Sequence, residues 1–223
     1  MTVRTKAIVG LVLIATCCSN AGADPLSRAK DRVPGDAQQH HVFELTYQAD
    51  ETSMSAQVDT ARPEGKRVTV NSSTVEDEDE QERLVKEMDR AAGRGYWCDD
   101  VLDGVPEDAR VLAQTDTTVT YAFAPQPTGE RNDAVLEHLD GEIGLDRASA
   151  QVVSYRLTAP KPFRQALVAK ITTFEMAMDC VPAPNGRTFA ASFEMSVQGS
   201  AAFKKFSQAF SRQLKLIERP TSP

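Results

Sequence analysis

Residues 174–198 read FEMAMDCVPAPNGRTFAASFEMSVQ, and this stretch decides the fold class. Phe174, Met176, Met178 and Cys180 recur every second residue. That is the period of a strand with one face turned to a core. Pro182-Ala183-Pro184-Asn185-Gly186 follows, and Asn-Gly is a strong short-range hairpin signal. On the return, Phe189, Ala191, Phe193, Met195 and Val197 are expected on one face. Ala190, Ser192, Glu194, Ser196 and Gln198 are expected on the other. Two long antiparallel strands with one apolar side are the expectation.

The same period extends outward in both directions. Phe43, Leu45 and Tyr47 alternate with polar neighbours, then Met54, Ala56 and Val58. Val68 and Val70 come after the turn-forming Pro63-Glu64-Gly65. Val119, Tyr121 and Phe123 form another run, and Val153, Tyr155 and Leu157 one more before Pro160-Lys161-Pro162. Residues 201–218 suit either period, and we read them as a strand because that continues the meander. One helix stands apart. Glu76 to Glu80 place negative charge where a helix N-terminus favours it. Leu84, Val85, Met88 and Ala92 form a stripe, Glu82 and Lys86 pair at i,i+4, and Gly93 and Gly95 end it. The fold class is therefore mainly β (α+β), a curved antiparallel sheet or half-barrel with one prominent helix; a sandwich is the alternative packing.

The beginning of the chain reads differently. Arg4 and Lys6 precede an apolar run from Ala7 to Cys18, and Ala21-Gly22-Ala23 offers a small-x-small exit. These are the parts of a secretory signal peptide, with cleavage expected after Ala23. Residues 1–23 are thus signal, 24–40 a flexible polar N-terminal arm, and 41–223 a single β-rich domain. Leu13-Ile14-Ala15-Thr16-Cys17 approaches a lipoprotein box but has Thr16 before the cysteine, so a lipid anchor at Cys17 is the lesser expectation. No other run reaches the roughly 20 apolar residues of a membrane span. The formal net charge of −7 disfavours nucleic acid, which is gripped by Lys and Arg.

Cys98 and Cys180 remain after the signal, and two cysteines in an oxidising compartment most simply pair. Tyr96-Trp97-Cys98 sets the only tryptophan beside that bridge, as a core anchor or as a cleft aromatic. Asp99 to Asp108 is acidic, but Val101 and Arg110 stand where a calcium loop needs ligands, so a turn accounts for it. His138, Asp140 and Glu142 would share one face if extended, a weak candidate set for a divalent cation. No GxSxG, HExxH or P-loop occurs, so no catalytic residue and no cofactor is expected. The candidates for lining a ligand are Phe174, Met176, Met178, Phe189, Phe193 and Met195, with methionine suited to irregular apolar partners.

Residues 139–146 (LDGEIGLD), with the strands at 151–159 and 168–180, make this part of the chain similar to the lipoprotein-carrier (LolA-like) fold of the bacterial periplasm. The resemblance implies an unclosed half-barrel covered by helices that shields acyl chains in its concave face. It implies a lipid or lipidated protein as partner. Two rivals stand beside it: a non-catalytic cell-envelope interaction module with a closed core, and a metal-dependent envelope enzyme resting on His138, Asp140 and Glu142.

Overall fold

A computed structural model describes residues 24–32, 41–92, 96–129, 133–166, 169–202 and 204–217. The signal segment, Cys17 and part of the arm lie outside these residues. The first strands are β1 (Val42–Ala49), β2 (Thr52–Asp59) and β3 (Val68–Ser73), followed by the amphipathic helix α2 (Glu78–Ala91). A 3₁₀ turn (Cys98–Gly104) leads to β4 (Arg110–Gln114) and β5 (Thr118–Phe123). After the short α3 (Asp133–Leu136) come β6 (Asp140–Asp146), β7 (Val152–Thr158) and β8 (Phe163–Ala166). The long strands β9 (Ala169–Pro182), β10 (Thr188–Ala201) and β11 (Lys204–Ile217) complete the sheet.

All eleven strands form one antiparallel sheet, in the order β3-β2-β1-β11-β10-β9-β7-β6-β5-β4 with β8 beside β9, and the sheet is not closed. The fold class read from the alternation is what the structure has, including a strand at 204–217. Gly186 turns the β9–β10 hairpin with φ +80, a value that favours glycine.

One topological consequence shapes the molecule. β3 and β4 are consecutive strands, yet they occupy opposite edges of the sheet. The chain between them must cross a whole face. It does so as α2 and the 3₁₀ turn, a strap that packs on β3 at one end and on β10 and β7 further along. The Cys98–Cys180 disulfide, closing a separation of 82 residues, ties the strap to β9. Trp97 pairs with Phe189 of β10 as a β-bridge, and Ala190 N–H donates to the Tyr96 carbonyl at 2.9 Å. Arg187 completes the anchorage: its Nε lies 2.7 Å from Asp99 Oδ2, a terminal nitrogen 2.8 Å from Asp100 Oδ1, and its guanidinium 4.7 Å over the Trp97 ring. Two acids of the 99–108 stretch, Asp99 and Asp100, therefore serve the strap.

Beneath the strap lie two apolar clusters. One gathers Phe43, Leu45, Met54, Val58, Leu84, Met88, Tyr96, Phe189 and Leu214. The other holds the disulfide with Leu102, Val105, Tyr121, Ile143, Leu145, Tyr155, Leu157 and Met178. Asp89, only 4 % exposed on α2, accepts the N–H groups of Gly65 at 2.7 Å and Arg67 at 2.8 Å. It thereby clamps the β2–β3 loop to the helix. Asp89→Ala strands both donors and is expected to cost about 3 kcal/mol, read as a lowered urea midpoint.

Two readings are corrected. The arm expected over 24–40 is docked in its described part: α1 (Pro25–Lys30) buries Leu26 and Ala29 in the disulfide cluster. Asp24 caps it through its carboxylate to Leu26 N–H, and Pro25 suits the first helical turn. Arg28, Lys30 and Arg32 donate to the carbonyls of Arg147 and Ala148, Val105 and Gly186 respectively. Charged side chains that tie a short helix to turn carbonyls leave no mark in hydropathy. The second correction concerns β10. A register shift between Ala190 and Ser192 sets Ala190, not Phe189 or Ala191, opposite Cys180. Phe189 instead joins the other cluster, against Phe43 with ring centroids 5.3 Å apart. A bulge inserts one residue and breaks strict alternation.

Candidate ligand-binding face

Residues directly opposite in an antiparallel ladder share a face, so the register traces rows across the sheet. Leu157, Met176, Met195 and Phe210 make one row. Tyr155, Met178, Phe193, Arg212, Tyr47 and Met54 make the next. Val197 sits opposite Phe174. The reverse face is polar, carrying Arg156, Glu194, Ser211 and Gln48 in one line.

Burial along the apolar rows is graded. Leu157, Tyr155 and Met178 are buried under the strap, whereas Phe174, Met176, Phe193, Met195, Val197 and Phe210 are half-buried. Phe193 and Phe210 stack at 5.6 Å, and Phe210 meets Tyr47 at 5.8 Å. Of the six candidates read from sequence, the structure brings Phe174, Met176, Met178, Phe193 and Met195 onto one patch. Phe189 stands apart in the core.

The sequence reading gave Arg212 no role. The guanidinium lies 4.8 Å from the Tyr96 ring centre and 5.1 Å from that of Phe193, between the strap and the half-buried patch. Burial pulls its pKa down, with the Tyr96 hydroxyl acting in the opposite sense. A charged residue on the apolar side of a strand was the available signal, and cation–π contact with two rings is its physical content.

Tyr96 is fully buried and donates its hydroxyl to the Met88 carbonyl at 3.1 Å. Burial pushes the phenols of Tyr96 and Tyr155 up to about 12, from an ordinary 10.0. Because the folded value exceeds the unfolded one, this contribution is whole below pH 10 and is lost as pH rises through about 12. The unfolding free energy, followed by the urea midpoint, should therefore hold steady up to about pH 9 and fall above pH 10, by roughly 2–3 kcal/mol for each ring. Tyrosinate absorbance in the near ultraviolet should lag behind that of the unfolded chain.

The metal candidates do not assemble as expected. His138 lies in the turn after α3, its ring stacked on Phe163 at 4.5 Å and its Nε2 3.4 Å from Glu137. Asp140 and Glu142 are exposed on β6. The helical turn at 133–136 takes His138 off the strand, so the shared face is corrected. Among the described residues no group of three or more His, Cys, Asp or Glu side chains could hold a metal ion.

Recesses of about 460, 480 and 620 Å³ lie, respectively, between α1 and the 3₁₀ turn, over the polar side of β9–β11, and beside β4. Met176, Met195 and Phe210 also border the second of these. Among the described residues no helix is long and apolar enough to cross a membrane.

No family model and no curated protein matches the chain. Among solved structures, a crystal structure of MucB in complex with MucA(peri) aligns over 86 % of this chain and 92 % of its own, at 9 % identity and a TM-score of 0.21. An overlap that slight carries no statement about this chain.

Proposed function

We propose that the chain is an exported, non-catalytic binding protein of the bacterial periplasm whose sheet face holds the hydrocarbon chain of a lipid or lipidated partner. One observation carries this reading. The apolar rows continue beyond the strap, leaving Phe174, Met176, Phe193, Met195, Val197 and Phe210 half-buried on a surface continuous with the core. Such a row gains by being covered, at roughly 25 cal/mol per Å² of apolar area removed from water. An alkyl chain that buries about 300 Å² in total would gain about 7 kcal/mol before the cost of association. Two methionines at the centre of the patch adapt to chains of differing length.

The test is native mass spectrometry of protein purified from a bacterial periplasm, followed by titration with dansyl-labelled undecanoate. Adducts of phospholipid or acyl mass, and saturable binding weakened at least tenfold in M176D/M195D, are expected. Bare polypeptide that neither retains lipid nor binds the probe overturns the reading and favours an interaction module with a closed core.

A further inference from the structure

Across the apolar rows of the sheet face, Arg212 is the one side chain that carries a charge. Glu175 and Glu194 belong to the rows of the reverse face. Arg212 is half-buried, and its place is particular. On one side its guanidinium meets Tyr96 of the strap, which is fully buried; on the other it meets Phe193, which is half-buried. The cation thus marks the line where the covered core gives way to the uncovered patch.

An arginine side chain stays charged at any ordinary pH. The two ring faces offset part of the hydration it has given up. A neutral hydrocarbon laid over Phe193 and Phe210 would strip more water from the guanidinium and return nothing for it, which opposes binding. A carboxylate or phosphate at the same point makes a charge-assisted, two-pronged pair instead. A guanidinium has five N–H donors, so a head group can join the contacts that Arg212 already makes. Patch and cation together therefore suit one occupant, an apolar chain with an anionic end.

The rest of the face gives that occupant a direction. From Phe193 the row runs along β10 through Met195 and Val197 to Gly199, about 20 Å at strand spacing. At Gly199 the Phe206 ring takes the space that a side chain would need, and the patch ends there. Lys204 lies two residues beyond Phe206 and is exposed at the tip of the hairpin, where water already meets its charge.

We propose that the occupant of this face is an anionic acyl amphiphile, with its carboxylate or phosphate head paired to Arg212 beside the strap and its chain laid over Phe193, Met195 and Val197 toward Phe206. This inference rests on the reading of the face as a hydrocarbon-binding surface and adds the head group and the orientation.

The test compares dansyl-labelled undecanoate with its uncharged methyl ester on the full chain. The acid is expected to bind the parent at least tenfold more tightly than the ester. Arg212→Gln should bring the acid down to the affinity of the ester and leave the ester's own affinity unchanged, whereas Lys204→Gln should move neither. M176D/M195D should weaken both probes. Dodecyl phosphate should displace the acid at concentrations where inorganic phosphate does not. Equal binding of acid and ester to the parent overturns the head-group assignment and leaves the hydrocarbon face in place; that comparison needs no variant to fold. A preference for the acid that survives R212Q, or that is lost in K204Q instead, also overturns it. So does a loss in R212Q that strikes acid and ester alike, or displacement by inorganic phosphate as strong as by dodecyl phosphate. Binding of neither probe overturns the hydrocarbon reading, and this inference falls with it.

Discussion

Replacing both Cys98 and Cys180 by alanine is expected to lower the unfolding free energy by about 4.5 kcal/mol, the entropy of a closed loop this long. The bridge spans 82 residues, so the unfolded chain loses much of its freedom when it is closed. Its folded-state role adds to the effect, because the bond is the covalent tie between the crossing strap and the middle of the sheet. Without it the strap is held by Arg187 on Asp99 and Asp100 and by the Trp97–Phe189 bridge. For a domain of this size the loss corresponds to roughly 10–18 °C in melting temperature. Guanidinium unfolding of the double variant beside the oxidised parent measures it. A difference below about 1 kcal/mol would mean that the strap holds its course in the unfolded chain as well.

Phe43→Ala should cost about 3–5 kcal/mol. Phe43 has no exposed surface and sits among four rings: Tyr96 at 5.9 Å, Trp97 at 6.2 Å, Phe189 at 5.3 Å and His41 at 6.1 Å. These rings come from the residue before β1, the strap and β10, so the void would open where three separate segments meet. None of the three can close it without drawing on the other two. The reading is the midpoint of urea unfolding. Tryptophan fluorescence offers a second one, since the only tryptophan borders the void.

Period two was enough to find most of the strands and to name which side chains share a face, because alternation records facing directly. Asn185-Gly186 marked the hairpin for the same local reason. Facing, however, is not covering. Met178 and Met176 look alike in sequence, and only the path of the strap makes one buried and the other half-buried. That path follows from β3 and β4 lying at opposite edges, which is set by long-range pairing. The bulge in β10 is a similar case: Ala190 and Ala191 are both small, and nothing local says which is the extra residue. α1 was missed because two apolar residues and three basic ones, each satisfied by a distant carbonyl, resemble a solvated tail. His138 was misplaced because a single turn of helix before β6 is too short to register in any periodic pattern.

The neighbour of β1 is β11, so the last of these eleven strands to be made lies inside the sheet, fourth in its order, and the first hairpin waits for it. A chain growing from its N-terminus can form β1 to β3 and, separately, the meander from β4 to β10. The two parts stay unjoined by strand pairing until residues 204–217 arrive between them. A truncation after Ala202 would remove no edge. It would split the sheet between β1 and β10 and leave partial sheets of three and seven strands, each with a fresh unpaired border, linked through the crossing strap. Completion of this sheet is thus reserved for β11, and quality control in the cell would meet either the whole sheet or two unequal parts with raw seams.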